Sequence, residues 1–286
     1  MDVRLFSSPA EFAPLVQPLI EREPAEYSIL ATLLDSALHG RPLPGACWLL
    51  LSDPEGVPVG AGLHNEPYSL VLTRFFLPPS SLGAAAAALV HAVRVDGRMP
   101  NGVTGSSAEC SAFAAQWTAV TGLPTALIMS EQLYSIATSP APSSVPGAPR
   151  SAGEGDLDLL VRWFAAFDAE AHVDTIGEPG LARARRRLAH GALLLWEVDG
   201  VPVSMAGLNG PVTGVSRVGP VYTPPEHRRH GYGSAVTVAA TRLGFSRGPG
   251  PVVLYADLAN PTSNSVYRAI GYRPAGDAVM ISFRTG

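Results

Sequence analysis

The chain has 286 residues, 47% hydrophobic and 15% charged, with a formal net charge of −4. That is a globular composition, long enough for two modules of about 140 residues. All 20 basic residues are arginine, which excludes a Schiff-base lysine, a P-loop lysine and a lysine general base, and the acidic balance argues against nucleic acid as a partner. The opening Met1-Asp2-Val3-Arg4 has no signal-peptide pattern, and the longest near-apolar stretch, Leu82 to Val90, is far shorter than a membrane span. Cys47 and Cys110 form no CxxC pair and no disulfide framework. A cytoplasmic protein with two buried free thiols, no metal and no membrane contact is expected.

In chain order, the first half reads as a short strand at 3–6, helices at 9–22 and 26–38, and a hairpin at 47–64. A strand at 68–77, an Ala-rich helix at 82–94 and a short strand at 101–104 follow, then a helix at 106–121 and a strand at 125–136. Residues 138–149, with Pro140, Pro142, Pro146 and Pro149, read as a semi-extended linker. The second half reads as helices at 156–170 and 179–190, a hairpin at 192–209, a strand at 215–222 and a helix at 231–247. It closes with a strand at 251–257, a short helix at 263–270 and a strand at 277–284. A helix face carrying four arginines between Arg183 and Arg187 reads as solvated or as a phosphate contact.

The two halves share a signature. LLL recurs at Leu49 and Leu193, GVPV at Gly56 and Gly200, and AGL at Ala61 and Ala206, at offsets of 144, 144 and 145. Three matches in order near half the chain length indicate two similarly folded halves, each a mixed sheet flanked by helices.

One loop concentrates chemistry. The strand ending Val221-Tyr222-Thr223 leads through two prolines to Arg228-Arg229-His230-Gly231-Tyr232-Gly233-Ser234 at a helix start. Glycines let backbone approach an anion, and N–H groups at a helix N-terminus converge on negative charge. The same residues also suit a plain glycine-permitted strand–helix turn. His227 and His230 have no further ligands at metal-binding spacing. Some thirty residues on, Asn260, Asn264 and Tyr267 precede Gly271 and Tyr272, with Ser263 as a possible helix cap. Asn264 and Tyr267 share one helix face.

Arg228-x-x-Gly231-x-Gly233 followed by Asn260, Asn264, Tyr267 and Gly271-Tyr272 resembles the GNAT superfamily of acyl-CoA-dependent N-acetyltransferases. The resemblance implies an α+β (mixed α/β) fold of two GNAT-like domains, each a mixed, mostly antiparallel sheet with flanking helices. The domains would be a degenerate copy at 1–137 and a catalytic copy at 150–286, joined by the linker at 138–149. It implies acetyl-CoA as cosubstrate and a small-molecule or protein amine as acceptor, with direct attack in a ternary complex. Val221, Tyr222 and Thr223 would run beside the pantetheine arm, and Val221 N–H would polarise the thioester carbonyl. Arg228, Arg229, His230, Gly231, Tyr232, Gly233 and Ser234 would hold the pyrophosphate. Asn260 and Asn264 would contact the cofactor arm, and Tyr267 would stand near the sulfur as general acid.

No general base is fixed: Glu170, His172 and Asp174 border the acceptor side, Tyr255 and Asp257 lie on the strand beside the cleft, and a water chain is an alternative. In the first half the loop motif falls on the Ala run at 83–89, and Asn264 and Tyr267 fall on Ala115 and Thr118, so that half is expected not to bind acyl-CoA. Two alternatives stay open: a non-catalytic acyl-CoA sensor, and an acetyltransferase like mycothiol synthase, which also pairs two GNAT domains.

Overall fold

The computed structural model describes residues 1–171 and 180–283. The chain folds into two compact units. The first comprises residues 1–133, 256–261 and 274–286; the second comprises 134–255 and 262–273.

The first unit opens with β1 (Asp2–Phe6), α1 (Pro9–Arg22) and α2 (Ser28–Leu38). Ser8 caps α1 by accepting the Glu11 N–H, and Phe12, Val16, Leu19 and Ile20 form its buried stripe. Next come β2 (Cys47–Ser52), β3 (Pro58–His64), β4 (Leu70–Leu72), α3 (Leu82–Val95), β5 (Gly102–Ser106) and α4 (Ser107–Thr121). All six residues of β2 are buried, so it reads as an unbroken apolar run rather than an alternating one. β1–β2, β2–β3 and β3–β4 pair antiparallel, and β4–β5 pairs parallel. Strand β6 (Thr125–Ile136) begins in this unit, and its last three residues belong to the second.

The second unit contains β7 (Ala148–Ser151), α5 (Leu157–Ala171), α6 (Gly180–Ala189), β8 (Leu193–Val198), β9 (Val201–Val212), β10 (Val215–Tyr222) and α7 (Tyr232–Arg247). It also holds most of β11 (Val252–Asp257) and of α8 (Pro261–Ile270). Its ladder runs β7, β8, β9, β10, with antiparallel neighbours, and β10 pairs parallel with β11. Leu160, Trp163 and Phe164 of α5 pack on Leu193, Leu195, Met205 and Tyr222.

The last strand, β12 (Arg273–Phe283), pairs antiparallel with β5 through Ala278↔Ser106 to Ser282↔Gly102. Each compact unit is thus discontinuous in sequence. The end of the chain completes the first unit, and Tyr134, Ser135 and Ile136 complete the second. No local signal in the sequence reports such a long-range exchange, because each strand looks the same whichever neighbour it meets.

The repeat is physical. Leu49 pairs with Gly62 and Leu193 with Gly207, in hairpins that each carry a register shift further along. A Cβ on Gly62 would stand 2.7 Å from Val71 O, and one on Gly207 would stand 2.5 Å from Gly219 O. In both copies the glycine lets the next strand approach closely. The mixed α/β class expected from the element order is the one observed.

The proline-rich stretch makes defined contacts within the second unit. Ala148–Ser151 is an edge strand on β8, Trp196 Nε1 donates to Pro146 O at 2.9 Å, and Arg242 Nη1 donates to Pro140 O at 2.8 Å. Pro149 disguised this strand, although proline is tolerated on a sheet edge. Arg150 anchors it through Asp156 (2.7 Å) and Glu197 (2.5 Å). The arginine cluster on α6 likewise turns partly inward: Arg183 pairs with Asp168 and lies over Phe164, while Arg187 donates to Gly219 O at 3.1 Å. Among the described residues no helix is long and apolar enough to cross a membrane.

Candidate active site

The parallel pair β10–β11 sets the geometry. Its ladder consists of Ser216↔Val252 and Arg217↔Val253, and among the described residues it stops there. On its other side β10 stays paired to β9 as far as Tyr222↔Met205, with a register shift between Val218 and Val221. An extended ligand could pair with the backbone of such a half-paired strand as an added strand would. The stretch includes Val221, Tyr222 and Thr223.

Beyond it, Pro225–His227 forms a single 3-10 turn, and the chain reaches α7 through Arg229 at φ +65 and Gly231 at φ +82. Residues of opposite helical hand in succession turn their N–H groups into one concavity. The first intrahelical bond recorded at this end is Ala235 N–H to Gly231 O, 2.9 Å. The amides of Tyr232, Gly233 and Ser234 thus sit in the first turn, where no i−4 carbonyl serves them. Thr223 Oγ1 lies 3.1 Å from the position of a Cβ on Gly233, and Ser204 joins Thr223 Oγ1 at 2.8 Å. His230 is exposed and stacks on Tyr232 at 5.4 Å.

Arg228 is engaged elsewhere. Its Nη2 donates to both oxygens of Glu170, at 2.8 and 2.6 Å, and its Nε donates to Thr223 O at 2.9 Å. Tyr222 Oη donates to the same carboxylate at 3.3 Å. Burial, with the Glu170 charge second, raises the Tyr222 pKa above the usual phenol value. Glu170 and Arg228, expected on the acceptor and phosphate sides respectively, are therefore one ion pair. His172 and Asp174 lie outside the described residues.

Behind the helix start, a column of hydroxyls climbs α7. Thr237 Oγ1 donates to Gly233 O at 2.7 Å, Thr241 Oγ1 donates to Thr237 O at 2.8 Å, and Thr241 Oγ1 meets Tyr272 Oη at 2.7 Å. Tyr272 presents its ring edge to Tyr267, with centroids 6.2 Å apart. α8 begins at Pro261, so Ser263 lies inside its first turn rather than at its cap. Gly271, at φ +118, ends it, with Tyr272 N–H donating to Tyr267 O at 3.0 Å. Asn264 is buried, and Tyr267 is half-buried. Burial pushes the Tyr267 phenol up to about 12.

One residue here has no counterpart in the sequence reading: Tyr134, fully buried, whose Oη donates to Asn264 Oδ1 at 3.0 Å. Its ring tilts against Tyr267 at 6.2 Å, and Arg268 lies 5.9 Å over it. Tyr134 stands on a strand of the first half, and spacing within either half cannot reveal it.

Asp257 and Asn260 fall in the first unit, whereas Tyr255 stays in the second. Asp257 Oδ1 accepts the Ala259 N–H at 2.8 Å and Asp257 O accepts the Asn260 N–H at 3.0 Å, so both residues shape the turn after β11. In the same unit, burial first and the Asp257 charge second raise the Glu131 carboxyl to about 7.

The half-paired parallel strand β10 thus runs into an N–H concavity at the start of α7. Residues 158–272 match the acetyltransferase (GNAT) family. No curated protein matches the sequence. Solved structures of the same fold cover nearly the whole chain. A GNAT-family acetyltransferase from Colwellia psychrerythraea is 15% identical, with 99% of this chain and 100% of that one covered and a TM-score of 0.58. A GCN5-related N-acetyltransferase from Sphaerobacter thermophilus is 16% identical, with 99% and 96% covered and a TM-score of 0.62. A tandem GNAT protein from the clavulanic acid biosynthesis pathway is 13% identical, with 98% and 97% covered and a TM-score of 0.55.

Proposed function

We propose that the second unit transfers an acetyl group from acetyl-CoA to a primary amine, small-molecule or protein, in a ternary complex. The observation that carries this reading is the β10 edge freed beyond Arg217↔Val253, which runs straight into the amide concavity at Tyr232–Ser234. These groups fit the two chemically different parts of the cosubstrate. An amide-bearing arm suits an unpaired strand edge, and a pyrophosphate suits N–H groups at a helix start. Arg229 and His230 flank the phosphate position, and Asn264 serves the arm.

Bound acetyl-CoA supplies an acyl thioester, whose carbonyl carbon is the electrophile. Val221 N–H donates to the carbonyl oxygen as charge develops there. The net reaction moves one proton from the amine nitrogen to the departing sulfur. Tyr267, at about 12, stays protonated against a thiol of ~8.5. It therefore steadies the thiolate as a hydrogen-bond donor instead of surrendering its proton, a narrower part than the general acid expected from an ordinary phenol. Glu170 is the carboxylate of this unit proposed to take the amine proton. Glu170 would act from its pairing with Arg228 and Tyr222.

That pairing favours a second reading, a non-catalytic acyl-CoA sensor, because the acceptor-side carboxylate is neutralised by an arginine. Free-thiol release from acetyl-CoA across a panel of amines separates the two. Amine-stimulated release supports the transferase, and tight binding with no stimulation supports the sensor. We further propose the duplicated modules 1–137 and 150–286 as the units of descent. A cytoplasmic setting is supported by two free, buried cysteines.

A further inference from the structure

The buried face of α7 is otherwise alanine, valine and glycine, yet it carries Thr237 and Thr241 one turn apart. Both are fully buried, and a hydroxyl taken out of water is costly unless it is bonded. Each hydroxyl has one proton to donate, and that fixes the direction of the column. Thr237 donates to Gly233 O at 2.7 Å, and Thr241 donates to Thr237 O at 2.8 Å. In the 2.7 Å contact between Thr241 Oγ1 and Tyr272 Oη, the donor is therefore Tyr272. That phenol is fully buried, and its one proton is committed to α7. Its neighbour differs. Tyr267 is half-buried, and among the described residues its hydroxyl makes no hydrogen bond. The Tyr267 ring lies between two others, tilted against Tyr134 and edge-on to Tyr272, with centroids 6.2 Å away in both cases.

We infer that Thr241 is a positioning residue of the acyl-transfer site. By accepting the Tyr272 proton it fixes the ring against which Tyr267 stands. It also divides the two phenols: Tyr272 is a wall, and Tyr267 keeps its proton for the departing sulfur. The inference rests on the reading of Tyr267 as the group beside that sulfur.

The test is steady-state kinetics on the full chain, with acetyl-CoA and the amine of the panel that most stimulates thiol release. Thr241→Val keeps the shape and removes the hydroxyl, which leaves the Tyr272 proton buried without its acceptor. Turnover should fall about tenfold as the ring shifts, while the KM for acetyl-CoA stays within about twofold. Thr241→Ser, which keeps a hydroxyl, should recover most of the turnover. Adding Tyr272→Phe to Thr241→Val removes the stranded proton. The double variant should turn over faster than Thr241→Val alone, because deleting both partners of a buried hydrogen bond costs less than deleting one. In a Tyr267→Phe background, Thr241→Val should cause no further loss, because it acts through that phenol.

Unchanged turnover in Thr241→Val overturns the inference, and so does Thr241→Ser as slow as Thr241→Val. A KM that rises as far as turnover falls would make Thr241 a general structural support and overturns it too. A double variant no faster than Thr241→Val contradicts the proton assignment, and full additivity with Tyr267→Phe contradicts the route through that residue; either overturns the inference. Wild-type protein that releases no thiol with any amine overturns the transferase reading itself and the inference with it, an outcome separate from the others.

Discussion

At the scale of single residues, burial decides what each group can do. Tyr267→Phe should lower turnover by about 10- to 100-fold, the value of a hydrogen bond to a charged sulfur. Acetyl-CoA affinity should stay within about twofold, because the phenol matters only as charge leaves the thioester. Steady-state kinetics beside calorimetry reads both, and equal turnover would remove Tyr267 from the chemistry. Glu131 makes a pH prediction. Its folded carboxyl, at about 7, lies above the ordinary value of 4.5. A raised acid contributes stability that is complete below the unfolded pKa and is lost as pH climbs through the folded one. Between pH 5 and pH 8 the protein should lose roughly 2 kcal/mol through this group, and Glu131→Gln should not. Denaturant titrations at the two pH values check this, and parallel losses in both proteins would contradict it. That Asn264 and Tyr267 share one short helix was legible from their spacing of three. Tyr134 and Glu131 were not, since their environments are made by segments more than a hundred residues away.

At the scale of elements, the loop from Arg228 to Ser234 shows how far a motif carries. Its two glycines, its arginines and the helix that follows were all readable, and α7 starts one residue from the expected place. Where the Arg228 guanidinium goes was not readable, because Glu170 approaches it from 58 residues away in sequence. The glycines differ in what they tolerate. Gly231 needs its left-handed φ, whereas a Cβ on Gly233 would stand 3.1 Å from Thr223 Oγ1. Gly233→Leu should therefore abolish acetyl-CoA binding in calorimetry and also lower the melting temperature by crowding the Thr223–Ser204 pair. Retained affinity would move the phosphate site off this loop. Strand β7 shows the opposite situation. Four residues containing a proline, after a run of prolines and serines, look like linker, and only the pairing of Ala148 with Glu197 and of Ser151 with Leu194 reveals a sheet edge.

At the scale of the whole molecule, the duplication was visible in three short repeats at almost constant offset, and the matched hairpins repeat it down to which leucine faces which glycine. The exchange of end strands was invisible, because sequence repetition records ancestry and not which copy a strand pairs with. A fragment spanning 138–286 would keep every motif residue yet lack Tyr134–Ile136. It should show neither acetyl-CoA binding nor a cooperative thermal transition by circular dichroism, where the full chain shows both. A fragment with full-length affinity would show that the first half is dispensable to the site.

The pairing of β12 with β5 also imposes an order of events during synthesis. The first unit draws most of its mass from residues made early, yet Ala278 to Ser282 are part of its sheet. A ribosome has to deliver nearly all of the chain before that sheet can close, so through most of translation β5 presents an unpaired edge, a template for mispairing. Nascent chains stalled before residue 274 should consequently depend more heavily on chaperones than the length of the first unit alone would suggest.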